Sequence, residues 1–177
     1  MSAAFDVFAD YGYRQTTMEL LAGAAGVSRP LLYKMVGNKE CLFRTATEWR
    51  LAYTLTEIER ATATTEDGTE QVFIVLNAMV DLYVPPGRNN SSRFAKIDET
   101  YAVAGDIWQA FMDDVLQHLR AAISQYRASG HRARRQLPSD TDVAESLFYA
   151  AKGLALDVGP RDKMKAHLQL LVRLVLP

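Results

Sequence analysis

Along most of the chain, apolar residues recur at three- and four-residue spacing, the period of a helix that buries one face, and β-branched runs are few. Gly and Pro fall between the periodic segments. The pattern predicts a nearly all-α protein of about nine helices, at approximately 2–10, 18–24, 29–35, 39–61, 69–84, 92–104, 106–129, 142–158 and 161–176. Thr17 before Met18-Glu19 and Ser28 before Arg29-Pro30 each offer a hydroxyl to the free amides of a helix start. Pro30 falls in a first turn, where a missing N–H costs nothing. Gly12, Gly26, Gly37, Gly130 and Gly159 stand where helices should stop, and Pro85-Pro86-Gly87 ends the fifth sharply. Up to Asn38 the helices are short and closely spaced; beyond it they are long and amphipathic. The simplest architecture is a small helical head, 1–46, on a larger helical bundle, 47–177.

Within the head, two short helices flank Ala25-Gly26-Val27-Ser28. A glycine able to turn left-handed, an apolar plug at Val27 and a capping Ser28 are what a helix-turn-helix requires. Leu20, Leu21 and Ala24 should face inward from the first helix, and Leu32 and Val36 from the second. Arg29 and Lys34 then face outward, with Tyr33 near the rim.

Composition narrows the function classes. Of 177 residues, 49% are apolar and 23% charged, as in an ordinary soluble globular protein. Lone Cys41 forms no internal disulfide and reads as a reducing, cytoplasmic setting. No apolar run approaches the roughly 18 residues that span a bilayer, and Asp6 and Asp10 interrupt the start, so neither a membrane partner nor a signal peptide is expected. Net charge is −1, so any DNA-binding surface must be local. From Tyr11 to Ala46, Arg14, Arg29, Lys34, Lys39 and Arg44 face only Glu19 and Glu40, which concentrates basic character in the head. His118, His131 and His167 lack metal-ligand spacing, Cys41 is remote in sequence from each of them, and no glycine-rich phosphate loop occurs. An enzyme is therefore disfavoured, and neither a metal nor a cofactor is expected.

The run Ala4-x-x-Val7-Phe8-x-x-x-Gly12-x-x-x-Thr16-Thr17-x-x-x-Leu21-Ala22-x-x-Ala25-Gly26-Val27-Ser28-x-x-x-Leu32-Tyr33-x-x-Val36-x-x-Lys39-Glu40-x-Leu42 resembles the DNA-binding domain of TetR-family transcriptional regulators. The resemblance implies a three-helix head that binds a palindromic double-stranded DNA operator as a homodimer and is released by a small-molecule effector, as TetR-type repressors are. It implies that Thr17 gives its hydroxyl or amide to a phosphate and that Ser28 places helix-end amides near another. Tyr33 and Lys39 match backbone-clamping positions, which set register rather than sequence. Arg29 and Lys34 reach into the groove, Arg29 as a bidentate guanine contact, while Leu31 or Met35 touches a thymine methyl. Against the family pattern, the first helix is expected to be about a turn short, and Val36 replaces an aromatic.

The body carries many large flexible and aromatic side chains. By default they are core; together Phe73, Tyr83, Phe94, Tyr101, Trp108, Phe111, Met112 and Phe148 would also suit an apolar effector pocket, with Asn77, Asp98 and His118 as polar candidates. The segment from Gly130 to Ser139, with His131-Arg132-Ala133-Arg134-Arg135, is basic and loop-like. Small residues at Ala144, Ala150, Ala151, Gly153 and Ala155 permit close helix approach. Apolar residues wrap 168–176 almost all round, so a second subunit is expected on the last two helices. The alternative reading is a TetR-like helical dimer that has lost DNA binding and serves as a ligand-binding or scaffold protein.

Overall fold

The structure, a computed structural model, describes residues 1–83, 94–130, 138–156 and 160–177, apart from the side chains of residues 83 and 94–98. Among the described residues there are eight helices and no strand: α1 Ser2–Gln15, α2 Met18–Ala25, α3 Arg29–Val36, α4 Lys39–Thr62, α5 Gly68–Tyr83, α6 Phe94–Ala128, α7 Asp140–Leu156 and α8 Arg161–Val175. The all-α expectation holds. The two segments expected at 92–104 and 106–129 form one element, α6, bent at Ala104 (φ −140°, ψ 30°). The break lies where the sequence places it, yet no loop intervenes. α1 likewise continues past its expected end: Gly12 adopts φ 79°, ψ 165°, and the chain resumes a turn to Gln15. No described helix is long and apolar enough to cross a membrane. The 131–137 basic stretch, the Pro85-Pro86-Gly87 stop and Gly159 lie outside the described residues.

The helices group into two compact units. The first comprises Met1–Tyr53 and Ser92–Phe111. Its core joins Phe8 of α1, Leu21 and Ala22 of α2, Leu32 of α3, Leu42 and Phe43 of α4, and Trp108 and Phe111 of α6, all buried. Phe8 and Tyr13 both meet the Phe43 ring near edge-on, with centroids 4.9 and 5.1 Å away. The sequence boundary after residue 46 marks where helix length changes; the observed unit runs to Tyr53 and takes a later segment of α6 as well.

The second unit comprises Thr54–Ser91 and Met112–Pro177, in which α5, α7 and α8 pack on one another. Ile58, Val75, Leu76, Leu119, Ile123, Leu147 and Leu168 are almost wholly buried there. α5 starts directly on the α6 backbone: a Cβ at Gly68 would lie 2.5 Å from both the Ala122 oxygen and the Tyr126 nitrogen. Beside it, Gln125 Nε2 donates to the Glu66 carbonyl at 2.7 Å. On α8, Met164, Leu168 and Val172 turn inward, whereas Leu170 and Leu174 are 54% and 72% exposed. The expected all-round apolar character thus resolves into an inner face and an uncovered outer one.

Candidate nucleic-acid interface

The head positions its side chains through local backbone chemistry. Thr17 Oγ1 accepts from the Leu20 amide at 3.2 Å and so opens α2. With Met18 thereby fixed as the first helical residue, the inward face falls on Met18, Leu21 and Ala22. Leu20 and Ala24, expected inside, are exposed because they point away from that stripe, Leu20 about 100° round the helix from Leu21 and Ala24 about 200° from Ala22. Gly26 takes the left-handed conformation (φ 66°, ψ 28°), and the Val27 amide donates back to Ala22 at 3.0 Å, which closes α2. Val27 itself is half-buried. Ser28 Oγ then accepts from the Leu31 amide at 3.3 Å to begin α3, with Pro30 in its first turn.

In α3, Leu32 is the fully buried anchor and Val36 is half-buried. Arg29, Leu31, Tyr33, Lys34 and Met35 are exposed, as are Thr17 and Ser28 at the two helix starts. The Arg29 guanidinium lies 5.6 Å from the Tyr33 ring centroid. A hydrogen bond to Tyr33 raises its pKa further above the ordinary arginine value. Arg29 and Tyr33 therefore form a charged, pre-oriented pair on the outer face.

Lys39, the expected clamp, opens α4 and is half-buried. Its ammonium turns inward and donates to the Tyr13 carbonyl at 2.9 Å, to Thr16 at 3.1 Å and to Arg14 at 3.5 Å. The local charge excess is also partly consumed. Arg14 pairs with Glu99 at 3.6 Å, and the Arg14 amide donates to the same carboxylate at 3.0 Å. Arg44 forms a two-pronged pair with Asp106 at 2.8 and 2.6 Å and donates to the Val103 carbonyl at 2.8 Å. That guanidinium pulls the Asp106 carboxyl down to about 2. Arg29 and Lys34 remain the head's cations on the outer face of α3.

The candidate pocket residues divide between the two units. Tyr101, Trp108 and Phe111 belong to the first, with ring centroids 6.3 and 6.0 Å apart in succession. Phe73, Asn77, Met112, His118 and Phe148 belong to the second. Trp108, Phe111 and Phe148 are buried, whereas Phe73, Asn77, Tyr101, Met112 and His118 are half-buried. The side chains of Tyr83, Phe94 and Asp98 lie outside the described residues. Asn77 Nδ2 donates to Asp81 at 3.2 Å, and the other oxygen of that carboxylate receives Arg161 Nε at 2.9 Å. The Asn77 carbonyl oxygen is buried and accepts nothing from the described residues. Asp81 and Arg161 were not among the sequence candidates; lying 80 residues apart, they carry no common signal.

Residues 1–46 match the family model for bacterial regulatory proteins of the tetR family. A curated relative, the HTH-type transcriptional activator FasR of Mycolicibacterium smegmatis, is 30% identical over 79 residues. That match takes in 45% of this chain and 36% of the relative, so the chain spans about a third of the relative's length. Among solved structures, the TetR family transcriptional regulator CifR, a cysteine mutant complexed with 26-bp operator DNA, superposes with a TM-score of 0.70 at 22% identity, covering 97% of this chain and 92% of that one. The transcriptional regulator FadR from Bacillus subtilis, in complex with stearoyl-CoA, gives 0.67 at 16% identity, covering 98% and 94%. The match to the N-terminal domain of tetR-family bacterial regulatory proteins thus falls on the helices that present Arg29 and Lys34.

Proposed function

We propose that this chain is a DNA-binding transcriptional regulator, a homodimer on a palindromic operator that a small-molecule effector releases. One observation carries the reading: α3 is anchored by Leu32 and raises Arg29, Leu31, Tyr33 and Lys34 on its free face, between helix starts capped by Thr17 and Ser28. In this reading the two capped starts and Tyr33 take phosphates, whereas Arg29, Lys34 and either Leu31 or Met35 meet base edges in the major groove. The protein acts where the DNA is, in the cytoplasm. The second copy covers the outer side of α7 and α8, where Tyr149, Leu170 and Leu174 are 65%, 54% and 72% exposed.

The body's aromatic and Met side chains supply an apolar effector site, and an acyl-CoA is the first class to test, since the FadR relative carries stearoyl-CoA. Because the curated relative is named an activator, the sign of regulation is a separate question from release. A second reading, a ligand-binding or scaffold dimer without DNA, is favoured by the engagement of Arg14, Lys39 and Arg44 with acceptors of the protein itself. Fluorescence anisotropy with duplexes from the flanks of the protein's own gene separates the two. Salt-dependent binding to one fragment supports the regulator; no salt-dependent binding to any duplex supports the scaffold.

A further inference from the structure

The geometry points to Asn77 as the polar anchor of the effector site: we infer that its side-chain oxygen takes a hydrogen bond from a hydroxyl or amide N–H on an otherwise apolar ligand. The inference rests on the effector reading above and adds the headgroup chemistry. Phe73, Asn77 and Asp81 follow one another at four-residue spacing and make a half-buried stripe along α5. Val72, Leu76 and Val80, on the flank of that stripe, are wholly buried.

Asp81 dictates how the Asn77 amide is turned. An ionised carboxylate only accepts, so Asn77 must present Nδ2 to it, at 3.2 Å. Oδ1 therefore points the other way, where it is buried and accepts nothing from the described residues. Reversing the amide is no remedy, because it would set oxygen against oxygen. Arg161 locks the arrangement, since its Nε, at 2.9 Å, and its Nη2 both meet the other Asp81 oxygen. A buried acceptor left unpaired is costly, and folded proteins keep few of them. The half-covered stripe, apolar at Phe73, gives a ligand's body a surface to lie on. The Asp81 carboxylate repels an anionic headgroup, and Arg161 is already engaged by it, so a free fatty acid fits poorly. A neutral donor fits well: an alcohol, a primary amide, or an amide N–H within a longer conjugate such as an acyl-CoA.

The test uses the full chain, the variant Asn77→Leu, and calorimetry with matched probes. Octanamide is compared with N,N-dimethyloctanamide and octanol with its methyl ether, with octanoate and octanoyl-CoA alongside. The unmodified protein should bind octanamide and octanol roughly tenfold more tightly than their donor-free partners, as one buried hydrogen bond allows, and octanoate most weakly. Asn77→Leu should erase both preferences and leave the donor-free probes bound as before. A tenfold loss confined to octanoyl-CoA, with both pairs indifferent, assigns the donor to the amides of the conjugate instead. Urea unfolding without ligand gives an independent reading. Asp81 keeps Arg161 and its side chain is 28% exposed, so water replaces the lost amide donor, and removing the orphaned oxygen should leave the midpoint unchanged or raise it. A lowered midpoint overturns the inference, because the oxygen would then be satisfied within the protein. If Asn77→Leu weakens none of the donor-bearing probes, the inference is overturned and the effector reading stands; if no probe binds at all, that reading falls and the anchor with it.

Discussion

Replacing Gly68 by Ala places a methyl group where α5 rests on α6. The new Cβ would lie 2.5 Å from Ala122 O, 2.5 Å from Tyr126 N and 2.8 Å from Tyr126 Cα. All three are backbone atoms of the last two turns of α6, so no rotamer change can relieve the contact. An ordinary carbon contact begins near 3.5 Å, so the start of α5 must retreat by about 1 Å. Overpacking of this kind costs about 1–3 kcal/mol. The retreat also stretches the Gln125–Glu66 hydrogen bond, worth about 1 kcal/mol. Against this, Gly→Ala stiffens the unfolded chain and favours the native state by about 0.4–1 kcal/mol. The clash wins, with a net loss of about 2 kcal/mol, or roughly 4–8 °C in Tm for a chain of this size. Gly23, inside α2 with nothing within 4 Å of its Cβ position, is the control: Gly23→Ala should stabilise by about 0.5–1 kcal/mol. Urea unfolding followed by circular dichroism, at fixed protein concentration, reads both. A Gly68→Ala midpoint equal to or above that of the unmodified protein would refute the close-approach reasoning.

Leu174→Asp should place a charge in the proposed subunit seam and yield monomer, measured by light scattering; a dimer of unchanged dissociation constant would remove α8 from the interface. Arg29→Ala should cost about 1–3 kcal/mol at its cognate base pair and flatten discrimination there, with equal losses on cognate and random duplex counting against base readout. The Asp106 carboxyl, drawn down from 3.8 to about 2, contributes stability that is fully present above about pH 4 and is lost as pH falls toward 2. Asp106→Asn should therefore flatten the fall in Tm over that window, and an unchanged acid limb would show that the Arg44 pair is not its source. An effector that releases DNA must bind more weakly by the same factor when operator is present, and calorimetry showing equal affinity would separate ligand binding from the switch.

What the sequence made legible is local chemistry. The caps at Thr17 and Ser28 and the turn at Gly26 depend on residues within a few positions of one another, and each is found as expected. The break near Ala104 was legible too, although not its form as a bend. The register of α2 was not: alternate assignments of Leu20 and Leu21 satisfy the apolar pattern equally until the cap at Thr17 fixes the first residue. Long-range pairs were silent. Arg14–Glu99, Arg44–Asp106 and Asp81–Arg161 join residues 85, 62 and 80 positions apart. Lys39 illustrates a further limit, because its partners are main-chain carbonyls and a carbonyl has no signature in a sequence.

The first compact unit is discontinuous, for Met1–Tyr53 is completed by Ser92–Phe111. On the ribosome this imposes an order of events. When the helix-turn-helix has emerged, Arg14 and Arg44 still lack Glu99 and Asp106, and the Trp108 and Phe111 part of the core has not been made. Roughly 60 further residues must be added, a matter of several seconds at about 5–20 residues per second. Through that interval the nascent head is an incomplete fold with uncovered apolar surface, a natural client for a chaperone. A truncated fragment ending at Tyr53 is arrested permanently in the same condition, so the recognition helix reaches its finished setting only in a chain that extends through α6.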